Sequence, residues 1–198
     1  MTKIRRAALV AFAACLAASA CSANGDTSGD TAGEHEKAMG MTMQEAAQRQ
    51  DGMLDATMNA IMPSLRWTHG ATTTGKCDVT RRRVVMTIVS EERRGNLLGM
   101  VQRSWEKRGY AIKSVNRSRE FPAIFAATDD GFGISVSVGG EGQFTFSADS
   151  PCVEKSEVAA PSASPNGPDY DYPVPRPNVN DSFWSSSEPI PTGSPSGS

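Results

Sequence analysis

Apolar residues recur at helical spacing from Ala47 through Leu54, Met58 and Ile61 to Leu65. Ahead of them stands Thr42-Met43-Gln44-Glu45, a capping box: the threonine accepts from the backbone three residues on and the glutamate reaches back. The pattern predicts a first helix, with Gly52 inside it, that Pro63 ends or kinks. The period then shortens to two. Arg82, Val84, Met86 and Ile88 share one face of a strand, and Val85, Thr87 and Val89 the other. Both faces are largely apolar, which predicts a strand inside a sheet. Ser90 offers an N-cap, and Glu91 and Glu92 suit the positive end of a helix dipole. Leu98, Val101 and Trp105 line one face of this second helix, and Gly109 supplies a left-handed stop before Tyr110.

Beyond Gly109 the period stays at two. Strands are predicted over Tyr110 to Arg117 and Ala123 to Thr128, and Asp130-Gly131 is a hairpin turn. Phe132, Ile134, Val136 and Val138 alternate with Gly133, Ser135 and Ser137, giving one core face and one wet face. Gly139 to Gly142 turns the chain into a last strand carrying Phe144, Phe146 and Ala148. Helix, strand, helix and then about four short-linked strands predict an α+β fold. The expected architecture is a two-layer sandwich, with two helices packed on a mainly antiparallel sheet of about five strands. Trp105 and the phenylalanines would fill the space between the layers.

The flanks differ in composition from this unit, which spans residues 41–153 and is large enough for its own core. Residues 1–20 open with Lys3, Arg5 and Arg6 and continue as an apolar run from Ala7 to Ala20. A membrane-crossing helix needs about 20 apolar residues, so this run reads as a signal peptide. Residues 21–40 are rich in Gly, Ser, Thr, Asp and Glu and read as a flexible tether. Residues 154–198 hold nine of the 12 prolines, so a disordered Pro/Ser/Gly-rich tail is expected there. Tyr170, Tyr172, Phe183 and Trp184 are unusual in such a tail. They read as residual composition, with docking of a partner as the alternative.

Cys21 follows Ala18-Ser19-Ala20 and resembles the lipidated cysteine of bacterial lipoprotein signals, with alanine where those signals usually carry leucine. The resemblance implies a diacylglyceryl (palmitate-bearing) anchor on Cys21 and a location on the extracytoplasmic face of the cell membrane. Cys15 then leaves with the signal. Cys77 and Cys152 remain as an even pair in an oxidising compartment, which predicts a disulfide bond. It would close a loop of about 76 residues, worth on the order of 4 kcal/mol in the chain-entropy model. The competing reading, free or metal-binding thiols, lacks a further histidine or cysteine at ligand spacing. A wider likeness rests on Gly99 to Tyr110, Ala127 to Phe132, Val138-Gly139-Gly140 and Ser150 to Val153. In these runs the chain resembles small lipoproteins of high-GC Gram-positive bacteria. That resemblance implies a location and a disulfide but no chemistry.

Net charge is only −2, yet Lys76 to Arg119 holds 12 basic residues against Asp78, Glu91, Glu92 and Glu106. Arg81 and Arg83 share a strand face, and Arg93, Arg94, Arg103, Lys107 and Arg108 lie on or beside the polar side of the second helix. Together they form a candidate face for an anionic ligand, attracted to wall polymer or lipid; the plainer reading is a solvated surface. Nucleic acid is not an expected partner, since the aromatic interleaving of a single-strand binder is missing. No cofactor or metal is expected. His69 has no nucleophile elbow beside it, the glycines around Gly139 lack a phosphate-loop lysine, and Asp129 and Asp130 are turn residues. The expected function is a lipid-anchored, non-enzymatic binding or regulatory module at the cell envelope. Its partners would be the membrane through the anchor and an envelope protein or anionic wall polymer. The alternative is an envelope hydrolase or transferase using His69, Asp78 and Thr72 to Thr74.

Overall fold

The capping box forms as the sequence predicts. Glu45 N donates to Thr42 Oγ1 at 3.3 Å, while Thr42 N donates to Glu45 Oε2 at 2.8 Å. The Thr42 backbone bond, helped by its hydroxyl, holds the Glu45 carboxyl below its usual value. Behind this cap runs helix α1, Met43–Asn59, whose inner side buries Met43, Ala46, Ala47, Met53, Leu54 and Met58. This computed structural model describes residues 40–168, 170 and 173–189. Signal peptide, tether and the Cys21 anchor therefore lie outside the described residues.

Seven strands follow: β1 (Trp67–His69), β2 (Thr73–Thr74), β3 (Val79–Val85), β4 (Ala111–Asn116), β5 (Ala123–Ala127), β6 (Gly133–Val138) and β7 (Phe144–Asp149), with helix α2 (Glu91–Lys107) between β3 and β4. The sheet order is β1-β3-β7-β6-β5-β4, β2 also pairs β3, and the named strand pairs are all antiparallel. Helix α1 packs over β3 and β7, and α2 over β4 and β5. The two helices meet where Trp105 Nε1 donates to Thr57 Oγ1 at 3.0 Å. The result is the expected α+β arrangement with a wider sheet. The extra strands, β1 and β2, are three and two residues long, too short for alternation to register.

Three local differences matter for the site. β3 begins at Val79 and ends at Val85, and Val79, Arg81, Arg83 and Val85 share its buried face. In α2, Leu97 rather than Leu98 joins Val101 and Trp105 in the core. Ser90 is the N-cap, but its Oγ donates to Ser186 O at 2.6 Å rather than to the helix. Gly109 and Gly131 take positive φ, 81° and 88°, as their stop and turn require. The Cys77–Cys152 disulfide is present, and beside it Val153 N donates to Cys77 O at 2.7 Å.

For the described residues of the tail, the expectation of disorder is corrected. Residues 154–168 and 173–189 lie against the domain as an irregular strap. Val179 bridges Thr87, and Trp184 is 0 % exposed, with Nε1 donating to Pro63 O at 2.7 Å. The proline-rich composition is that of a chain without regular structure, but one buried indole and fixed backbone bonds order it all the same.

Two outcomes follow. Trp184→Ala should cost about 3–5 kcal/mol of stability, as truncation of a buried tryptophan does, read by urea unfolding. Because the folded Glu45 carboxyl titrates below its unfolded value of about 4.5, its contribution is complete above that pH and fades as pH falls through the lower folded value. The stability difference between wild type and Glu45→Gln should therefore shrink on acidification.

Candidate functional site

Arginines on the buried face of β3 need charge and hydrogen-bond partners, because an unpaired buried cation is costly. Helix α1 supplies them from Asp51 and Asp55, one turn apart. Arg83, 0 % exposed, donates from Nη2 to Asp51 Oδ1 and Asp55 Oδ1, each at 3.1 Å. Its guanidinium lies over the Trp67 ring at 4.6 Å. Arg81 Nε stands 3.4 Å from Asp51 Oδ2, and Arg81 Nη2 donates to Ala159 O of the strap at 2.6 Å. Burial pushes the Arg81 guanidinium below its ordinary value; Asp51 opposes that shift and Arg83 reinforces it.

The same cluster fixes His69. Arg83 Nη1 lies 2.8 Å from His69 Nδ1, and His69 Nε2 lies 2.7 Å from Ala163 O. A guanidinium only donates and a carbonyl only accepts. Nδ1 is therefore the acceptor and Nε2 carries the proton. With both ring nitrogens engaged, His69 orients Arg83 and the strap, and in this conformation neither nitrogen is open to a substrate. Of the other residues in the hydrolase alternative, Thr72 accepts from Arg81 Nη1 through Oγ1.

Arg93 is also withdrawn from the surface. It is 3 % exposed, its Nε donates to Phe183 O at 2.9 Å, and its guanidinium lies 4.9 Å from the Phe183 ring centroid. The seven-residue candidate face is thus corrected: Arg81, Arg83 and Arg93 hold the interior and the strap. Arg94 is half-buried, while Arg103, Lys107 and Arg108 remain exposed along α2.

Beside that surface runs an open groove of about 730 Å³ between α2 and the β4–β5 connection. Leu98, Val115, Pro122 and Ile124 give it an apolar floor, and Arg94, Arg117, Arg119, Glu91 and Glu92 give it charged walls. The helix side is open at Gly95, where an added Cβ would meet nothing within 4 Å. Arg119 and Glu91 approach to 3.7 Å across the mouth, but both are exposed and such a pair contributes little. Sequence reading passed over Arg117 and Arg119 as members of the groove; their only signal was their place in the basic stretch ahead of Pro122. Among the described residues, no three His, Cys, Asp or Glu side chains converge to hold a metal ion, and no helix is long and apolar enough to cross a membrane.

No family model matches the sequence, and no curated protein matches it. Among solved structures, the chain is similar to a DUF4853 family protein from Actinomyces odontolyticus determined at 2.65 Å. The two are 13 % identical, with a TM-score of 0.33, over 59 % of this chain and 71 % of that one. A likeness this slight carries no argument about activity.

The cluster predicts an order of damage. Asp51→Asn, which removes the carboxylate shared by two buried arginines, should cost about 3–5 kcal/mol. Asp55→Asn should cost less, because Asp55 is 36 % exposed against 13 % for Asp51 and its pair is screened. Chemical denaturation of both variants checks the ranking.

Proposed function

We propose that this chain is a lipid-anchored extracytoplasmic protein whose folded part is a non-enzymatic binding module for an anionic partner at the cell envelope. One observation carries the reading. After the interior arginines are set aside, Arg94, Arg103, Lys107 and Arg108 still line α2, with Arg117 and Arg119 across the groove, against Glu91, Glu92 and Glu106. A local excess of cations beside an apolar floor suits a partner that presents phosphates or carboxylates on an apolar frame. The Cys77–Cys152 disulfide supports an oxidising compartment. Anchoring at Cys21 would hold the basic surface close to anionic wall polymer and lipid, which raises encounter frequency without any added contact.

The test uses the full chain and an anionic phosphodiester wall polymer. Arg103→Glu with Lys107→Glu should weaken retention about tenfold at low salt, and wild-type retention should fall as ionic strength rises. Retention unchanged by the charge reversal would overturn the reading of the face. In parallel, Cys21→Ala should move the protein from the membrane to the soluble fraction; a variant still in washed membranes would refute the anchor.

A further inference from the structure

The outer edge of β1 meets the chain's own strap through contacts that read a pattern. Asn166 lays its side-chain amide across that edge: Oδ1 accepts from Trp67 N at 2.9 Å and Nδ2 donates to Leu65 O at 2.8 Å. The amide thereby takes the place that a neighbouring strand's peptide group would take on an open sheet edge. Gly167 lies so close that an added Cβ would stand 3.1 Å from Trp67 O, so a side chain there would push the strap away. Arg66 Nη1 donates to Asn166 O at 2.6 Å. Further back along the strap, Ala163 O accepts from His69 Nε2 at 2.7 Å, and Ala159 O accepts from the buried Arg81 at 2.6 Å. Ala159 N donates to Gln44 Oε1 at 2.7 Å.

These contacts read main-chain groups and the Asn-Gly pair, and no charged side chain of the strap takes part in them. Recognition of a peptide segment at a sheet edge, through its main-chain groups and one side-chain position, is a recurring mode of peptide binding. The donors are also held in advance. Arg81 is tied to Asp51, and His69 is fixed in one tautomer by Arg83.

We propose that the β1 edge, with Arg66, His69 and Arg81, is a peptide-recognition site filled in cis by residues 159–167. In trans it takes an uncharged peptide of the same pattern, bent at the same places, with free carbonyls seven and three residues ahead of an Asn-Gly pair. The strap has separate anchors at Val179 and Trp184, so this row can empty while the rest of the strap stays docked. A segment tethered in cis competes at an effective concentration on the order of millimolar, which keeps the site closed in the wild type. The site is independent of the basic face on α2.

The test titrates a fluorescent peptide spanning residues 158–168, which carries no charged side chain, into the full chain and into Asn166→Asp, read by anisotropy. The substitution is isosteric and turns the donor that faces Leu65 O into an acceptor. The opened variant should bind the peptide at least about tenfold more tightly than wild type, because the cis competitor is weakened. A peptide with alanine at the Asn166 position should bind neither protein. Circular dichroism checks the fold; if Asn166→Asp is unfolded, Gly167→Val opens the same row and enters the same titration. Binding of the peptide by neither folded opener, or equally by opener and wild type, would overturn the proposal.

Discussion

Two arginines buried side by side on the inner face of β3 impose the constraint on which much of the rest depends. Removing cations from water costs several kcal/mol each unless close partners replace the lost hydration. Arg81 and Arg83 therefore dictate what may lie above, beside and below them. Above, α1 must present carboxylates one turn apart, which fixes its rotation over the sheet through Asp51 and Asp55. Below, Trp67 offers its ring face to Arg83, which ties β1 to β3 beyond their backbone ladder. At the side, the strap contributes Ala159 O. Nε of each arginine still lacks a hydrogen-bond partner. Such a cluster serves register and specificity more than net stability.

The same logic explains why the two edges of the sheet are handled differently. On the β1 side the strap covers the edge, with the Asn166 amide standing in for a strand. On the other side β4 has no further strand among the described residues. It carries a bulge between Ile112 and Ser114, with Lys113 exposed at that point. A bulge and a lysine both discourage another strand from adding. The groove beside β4 is therefore suited to contacts from side chains and charge, whereas the β1 edge is built for a backbone.

Much of the fold was legible because its signals are local. The Thr42–Glu45 box, the Gly109 stop, the Asp130-Gly131 turn and the alternation through Phe132 to Val138 each state their structure within a few residues. Cysteine counting pointed to the pair by assigning Cys15 to an expected signal and Cys21 to an expected anchor, and the Cys77–Cys152 bond is present. The failures share one cause, which is that the deciding partner lies far along the chain. In Arg81-Arg82-Arg83, alternation makes a charged residue look outward; only Asp51, some 30 positions earlier, turns two of the three inward. Composition marked residues 154–198 as disordered by averaging over many prolines, while for the described part a single Trp184 with a slot at Pro63 decides the outcome. The shift from Leu98 to Leu97 is a smaller case of the same kind, set by where α2 meets the sheet.

Moving three arginines inside also changes what a partner can sense. Arg81 and Arg83 face Asp51 and Asp55 at contact distance, so their fields largely cancel before reaching solvent. Arg93 is capped by Phe183 and its carbonyl. The basic stretch in the sequence thus divides into an inner set that organises the fold and an outer set, on α2 and the loop through Arg117 and Arg119, that projects charge. At physiological ionic strength the field of exposed charges decays over about 8 Å. An anionic partner would therefore respond to the outer set alone, and at close range. A surface of this kind gains most from being held near its target, which is what an anchor at Cys21 would provide.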